Sequence, residues 1–261
     1  MALLWASFLR HVARHSSVGS LRQFQGVEAA WVHSSLIINN GTYLGSPVAT
    51  AMDLRTRLAA AWEDANAHKL PWALYLYEPY VSALSGEELS GIAAEFGLAR
   101  LMAVEVMTGD VTTLKAPVRP LPSLEYRRIL NRQDGAIALD INLRSYGLPA
   151  SMGESVIGTD AYFSDPQREF GFLAFAEGAA VSTATVIELD GWLYVALVAT
   201  DPEHRQKGYA EAVMRHALRA SASELKISRT ALDASAAGSP VYLRMGYEHT
   251  GEAWSMYVAS G

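Results

Sequence analysis

The stretch Val198-Ala199-Thr200-Asp201-Pro202-Glu203-His204-Arg205-Gln206-Lys207-Gly208-Tyr209-Ala210 decides how this chain is read. An apolar run from Trp192 ends at Ala199, and Thr200-Asp201-Pro202 turns the chain. Ala210, Val213, Met214, Ala217 and Leu218 then recur at helical spacing, which predicts a helix from Gly208 to about Ser221. A strand therefore feeds a glycine-bearing loop that opens a helix. The free N–H groups at a helix start, together with the helix dipole, favour negative charge. Gly208 has no side chain, so an anion can approach the backbone closely. Ala210 is small enough to keep that approach open, and Arg205 and Lys207 add positive charge. These features select a diphosphate-bearing ligand. The loop lacks both the Gly-x-Gly-x-x-Gly of a dinucleotide fold and the Gly-Lys-Ser/Thr of a P-loop.

The flanks narrow the choice. Phe170–Ala176 and Ala179–Leu189 read as strands joined by Glu177-Gly178, and Asp190-Gly191 is a strong hairpin signal leading into Trp192–Ala199. The loop thus follows an antiparallel hairpin. Further upstream, Leu124–Leu130 reads as a strand and Gly135–Tyr146 as a helix. Downstream come a strand at Leu225–Leu232, a short helix at Ser239–Met245 and a closing strand at Ala253–Val258. Ser239-Pro240 suits an N-cap followed by a first helical residue.

In this setting Arg205-Gln206-Lys207-Gly208-Tyr209-Ala210 resembles the coenzyme A signature of the GNAT acetyltransferase superfamily, Arg/Gln-x-x-Gly-x-Gly/Ala after a strand. Asp233-Ala234-Ser235 and Ser239-Pro240-Val241-Tyr242-Leu243-Arg244-Met245-Gly246-Tyr247 are similar to the family's closing segment, where a helical tyrosine precedes a Gly-aromatic pair. The two motifs together span roughly residues 123–258.

The resemblance implies an α/β fold: a mixed, mostly antiparallel sheet flanked by helices. It implies acetyl-CoA as co-substrate, held at the diphosphate by the amides of Gln206, Lys207, Gly208, Tyr209 and Ala210, with Arg205 beside them. The strand Leu197-Val198-Ala199 would splay from the next parallel strand, and the pantetheine arm would pair with the backbone at Val198 and Thr200. Tyr242 would protonate the departing thiolate, since a phenol is neutral at pH 7 and donates one hydrogen bond. Ser235 and Ser239 are further candidates for coenzyme contact, with helix capping as their everyday alternative. Direct attack of an amine in a ternary complex is the expected reaction. With no cysteine in the chain, a cysteine-linked acyl-enzyme is excluded.

The family's strand glutamate falls on Tyr194 by spacing from Gly208, and no carboxylate lies between Trp192 and Thr200. Glu188 and Asp190 belong to the hairpin turn. A water chain, a residue from the N-terminal half, or an amine already neutral all remain open as the proton route. The missing strand carboxylate is the one feature favouring a rival reading, a non-catalytic acyl-CoA-binding or regulatory module.

The N-terminal half is a smaller α/β pattern. Leu54, Leu58, Trp62 and Ala65 mark one helix, Leu89, Ile92, Ala93 and Phe96 another, and Trp72–Tyr77 and Leu101–Met107 alternate with them as strands. Trp72, Tyr75, Tyr77 and Tyr80 suit a two-faced buried strand more than a cleft lining. The connector Pro117-Val118-Arg119-Pro120-Leu121-Pro122 is rich in proline and reads as extended. The expected division is 1–116, a possible degenerate GNAT-like copy; 117–122, the connector; and 123–261, the GNAT domain. The first part would wall the acceptor site or mediate a homodimer.

The first 27 residues carry arginines and serines but no Asp or Glu. They resemble a transit peptide in composition, but Leu4, Phe8, Leu9 and Val12 favour an amphipathic helix. His11 and His15 have the i, i+4 spacing of a helical metal pair. No third ligand is evident and arginines are neighbours, so a solvated face and a metal-free protein are expected. The net charge of −6 has no basic run, which argues against nucleic acid and weakly favours cationic partners such as small-molecule or peptide amines. No apolar run is long enough for a membrane span. The absence of cysteine fits a cytoplasmic protein.

Overall fold

The computed structural model describes residues 3–260. In chain order the elements are α1 (Leu4–His15), β1 (Ser20–Phe24), β2 (Val27–Trp31), β3 (Asn40–Leu44), α2 (Ala51–His68), β4 (Ala73–Tyr77), α3 (Gly86–Glu95), β5 (Leu98–Asp110), β6 (Glu125–Arg128), α4 (Arg132–Ser145), α5 (Ser151–Gly158), β7 (Glu169–Ala176), β8 (Ala179–Leu189), β9 (Trp192–Thr200), α6 (Tyr209–Leu225), β10 (Arg229–Ala234), α7 (Ser239–Met245) and β11 (Glu248–Ala259). Among the described residues no helix is long and apolar enough to cross a membrane.

All eleven strands form one sheet, in the order β1-β2-β3-β4-β11-β5-β10-β9-β8-β7-β6. Two series run parallel through it. Three antiparallel strands, a helix, a parallel strand, a second helix and a long final strand occur as β1 to β5, and again as β7 to β11. Each helix between parallel strands is a crossover, β3–α2–β4 and β9–α6–β10. The N-terminal half thus repeats the topology of the C-terminal half. Its three leading strands escape the sequence reading, which finds only two strands there. Each is only five residues long and mixes strand formers such as Phe24, Val27, Trp31 and Tyr43 with Arg22, Gln23, Glu28, Asn40 and Gly41, so no clean alternation marks it.

The two final strands are interchanged. β11 pairs with β4 of the first series, and β5 pairs with β10 of the second, while β5 and β11 pair with each other. Hairpins set the outer register. Gln25-Gly26, Glu177-Gly178 and Asp190-Gly191 all hold both central residues at positive φ, the primed-turn geometry that matches strand twist.

α6 covers one sheet face, burying Val213, Met214, Ala217 and Leu218 against Phe172, Val186, Leu193 and Leu232. α1 and α4 cover the opposite face. Phe8, Leu9 and Val12 join Ile187, Tyr194 and Ala231 there, and Ala138 and Ile141 pack with Leu173 and Ala199. Side chains cap α2, α3 and α4, through Thr50, Ser85 and Asn131. α6 starts at Gly208 with no side-chain cap.

Candidate active site

The site forms where β9 leaves β10. The two pair in parallel at Leu193–Thr230, Tyr194–Ala231 and Val195–Leu232, and no further. Beyond that point β9 bulges. Thr183 faces Ala199 on the neighbouring strand while Thr185 faces Ala196, so β9 carries one extra residue. Leu197 takes it up at φ 52°, a left-handed conformation that costs a non-glycine residue about 1–2 kcal/mol. The bulge turns the backbone of Leu197 and Val198 out of the regular ladder. Ser182 steadies the strand end, its hydroxyl 2.7 Å from the Ala199 carbonyl and 2.9 Å from the Thr200 hydroxyl.

β9 runs on through a 3₁₀ turn, Pro202–His204, to the glycine loop. Asp201 organises that turn. It is buried, accepts from the Glu203 amide at 3.0 Å and pairs with Arg144 of α4. Arg205 donates to the Ser145 carbonyl at the end of α4, at 2.5 Å. Gln206 (φ 64°) and Gly208 (φ 80°) are left-handed. The uncapped first turn of α6 leaves its amides open, and Gln206, Lys207 and Gly208 are exposed. The connector borders the same place, with Pro122 Cδ 3.6 Å from where a side chain on Gly208 would begin.

On the far side of the opening, β10 ends at Ala234 and α7 begins. α7 is capped at Gly238 rather than at Ser239, and Ser239 is itself buried, 3.4 Å from His249 Nε2. Ser235 receives the Gly238 amide at 3.3 Å, so it closes the turn. Tyr242 lies across Gly238. A Cβ added there would meet the Tyr242 ring at 2.9 Å and its hydroxyl at 3.4 Å. Burial, with the nearby Tyr146, pushes the Tyr242 phenol up to about 12. It is therefore protonated throughout the neutral range.

The sequence reading missed one residue. Tyr194 stands where a carboxylate was sought, and its hydroxyl donates to Asp233 Oδ2 at 2.6 Å. Asp233 lies on the neighbouring parallel strand, one residue past the last paired position. Burial pushes its carboxyl up to about 7, against the opposing effect of the Tyr194 hydrogen bond. Its second oxygen, Oδ1, is buried without a hydrogen-bond partner among the described residues. The acidic residue sits in the closing motif, but only the strand pairing places it beside Tyr194.

Asp233 faces a cavity with room for about one water. Trp5 of α1, Tyr77 of β4, and Glu252 and Trp254 of β11 line it with Tyr194. Tyr77 is thus buried, as the sequence implies, and also borders the site. Glu188 and Asp190 are engaged elsewhere, with Arg168 and with Ser7.

Residues 167–249 match the family model described as an acetyltransferase (GNAT) domain. No functionally curated protein matches the chain in sequence. Among solved structures, a GCN5-related N-acetyltransferase from Kribbella flavida is similar at 17% identity and a TM-score of 0.72, with 99% of this chain and 95% of that one covered. A conserved protein of unknown function from Staphylococcus epidermidis is similar at 13% identity and a TM-score of 0.68, covering 94% and 95%. A tandem GNAT protein from the clavulanic acid biosynthesis pathway is similar at 16% identity and a TM-score of 0.56, covering 94% and 80%.

Proposed function

We propose that this chain is a GNAT acetyltransferase, on the match of residues 167–249 to that domain model, and that it transfers an acetyl group from acetyl-CoA to a primary amine by direct attack in a ternary complex. The observation that carries this reading is the parting of β9 from β10, with the Leu197 bulge at one end and the uncapped start of α6 at the other. The residues fit a long, anionic-headed thioester. The amides from Gln206 to Ala210 suit the diphosphate, with Arg205 and Lys207 nearby. The freed backbone at Leu197, Val198, Ala199 and Thr200 suits an amide-bearing arm.

Asp233 supplies the proton acceptor missing from β9. A base is most effective with a pKa near the working pH, and burial sets Asp233 at about 7. Its free Oδ1 takes a proton from the bound ammonium, directly or through the water-sized cavity, and leaves the neutral amine that attacks the acetyl carbon. A backbone amide at the bulge polarises the acetyl carbonyl as charge develops on its oxygen. Tyr242 donates to the departing sulfur. The absent carboxylate was the one argument for a non-catalytic acyl-CoA module, and the carboxylate of Asp233 beside Tyr194 weighs against it.

Thiol release from acetyl-CoA across a panel of small-molecule and peptide amines tests the reading. Turnover with at least one amine is expected. Tight coenzyme binding with no turnover on any amine favours the binding module instead. Tyr242→Phe should cut kcat by roughly 10²-fold or more while leaving coenzyme affinity nearly unchanged. Equal kcat would remove Tyr242 from the mechanism.

A further inference from the structure

α1 carries two histidines that the expected solvated face does not accommodate. His11 is only 5% exposed. Its Nε2 lies 2.6 Å from Oε1 of Glu169, which is 4% exposed and begins β7. His15 stacks on His11 with ring centroids 4.3 Å apart. Its Nδ1 lies 2.9 Å from the His11 carbonyl oxygen. A carbonyl only accepts, so Nδ1 carries a proton, and in the neutral imidazole that leaves the lone pair on Nε2. That Nε2 lies 3.7 Å from Oδ2 of Asp165, on the loop before β7. Donor atoms of His11, His15 and Glu169 all fall within 4.8 Å of one another. Glu169 Oε2 is buried with no hydrogen-bond partner among the described residues. An unpaired buried carboxylate oxygen is costly.

We propose that His11, His15 and Glu169, with Asp165 as a fourth donor, bind one divalent transition-metal ion of the zinc class. Two imidazoles exclude a calcium- or magnesium-type site, which takes oxygen donors. Two neutral imidazoles and two carboxylates balance a dication. Bond lengths of about 2.0–2.1 Å put tetrahedral donors roughly 3.3 Å apart. His11, His15 and Glu169 therefore reach that spacing with shifts of about 1.5 Å at most, within reach of side-chain torsions, and Asp165 approaches from beside His15. The hydrogen bond from His15 Nδ1 to the backbone orients the ring as outer partners of metal-binding histidines do. Two neighbouring arginines are paired elsewhere, Arg10 with Glu28 and Arg168 with Glu188, and Arg14 is exposed to solvent. The site lies three strands along the sheet from Asp233, roughly 14 Å, so its role is to fasten α1 onto β7. The third ligand was illegible in the sequence because it lies more than 150 positions away from His11.

The test uses the tag-free full-length chain, stripped with chelator and titrated with zinc chloride by calorimetry and with cobalt chloride by visible absorption. One ion per chain, a tetrahedral cobalt spectrum, and a Tm that rises with zinc and falls again in chelator are expected. Glu169→Gln should abolish the cobalt spectrum. His15→Ala should weaken binding by at least about tenfold. The latter leaves the His11–Glu169 bond intact, so it folds in chelator and decides the matter if Glu169→Gln does not fold. No saturable binding of either metal, or equal binding by wild type and His15→Ala, would overturn the proposal and leave His11 and Glu169 as a hydrogen-bonded pair only.

Discussion

At the residue scale, Asp233 ties stability to the proposed activity. Its folded carboxyl sits at about 7 instead of 3.8, because burial disfavours the charged form. Between those values the folded chain holds a proton that the unfolded chain has released, so stability falls as pH rises through that window. Each pH unit is about 1.36 kcal/mol, which gives a loss of ~4 kcal/mol at most by pH 8. Asp233→Asn keeps an oxygen for Tyr194 and removes the charge. It should raise Tm at pH 8 and leave it nearly unchanged at pH 4, as thermal melts at the two pH values will show. The same substitution should cut kcat/KM, while in the wild type kcat/KM should climb with pH through an apparent pKa near 7. A flat wild-type profile across pH 6–8, or full activity in Asp233→Asn, would remove Asp233 from catalysis. Reading along one strand for a carboxylate could not find this residue. A parallel partner strand reaches the same place from 39 positions downstream.

At the element scale, the legible parts are those whose chemistry is local. Asp190-Gly191 and Glu177-Gly178 demand positive φ, and the strands beside them follow. α6 follows from its buried stripe, although it runs on to Leu225 and pushes β10 back to Arg229–Ala234. β1 to β3 were illegible because each is five residues long and mixes strand formers with polar residues, so no alternation marks it. The bulge at Leu197 was illegible too, since nothing in a run of apolar residues marks which one leaves the ladder. Gly208 tests this scale. Any side chain there must adopt φ 80° and stands beside the open amides of α6. Gly208→Val should abolish coenzyme A binding by calorimetry and lower stability by about 1–2 kcal/mol. Intact binding would sink the loop assignment. On the other sheet face, Phe8→Ala should cost about 3–5 kcal/mol, because Phe8 is 5% exposed and packs 5.6 Å from Tyr194, ring to ring. A change of under 1 kcal/mol in urea melts would show that α1 is a loose attachment.

At the scale of the whole molecule, the interchange of β5 and β11 decides how far the halves are separate. The sequence shows a proline-rich break at residues 117–122, and composition alone suggests two units joined by a tether. The sheet crosses that boundary. β5 belongs to the first half by sequence, yet it fills the place between β10 and β11. β11 in turn lies between β4 and β5. Cutting the chain at the connector therefore strips each half of a central strand and exposes unpaired edges on β4 and β10. The full chain should melt in one cooperative calorimetric transition, with equal calorimetric and van't Hoff enthalpies. Residues 123–261 expressed alone should associate or aggregate, and co-expression with residues 1–122 should restore a one-to-one complex that melts close to the intact chain. A monomeric, cooperatively melting 123–261 would mean that β11 can reseat beside β10 unaided. The N-terminal copy would then serve only to wall the cavity at Asp233, through Trp5 and Tyr77. With the interchange needed for folding, the copy both completes the sheet of the C-terminal half and walls the cavity at Asp233. That double duty explains how a half without the Arg-x-x-Gly-x-Gly/Ala loop remains part of one sheet with the half that carries it.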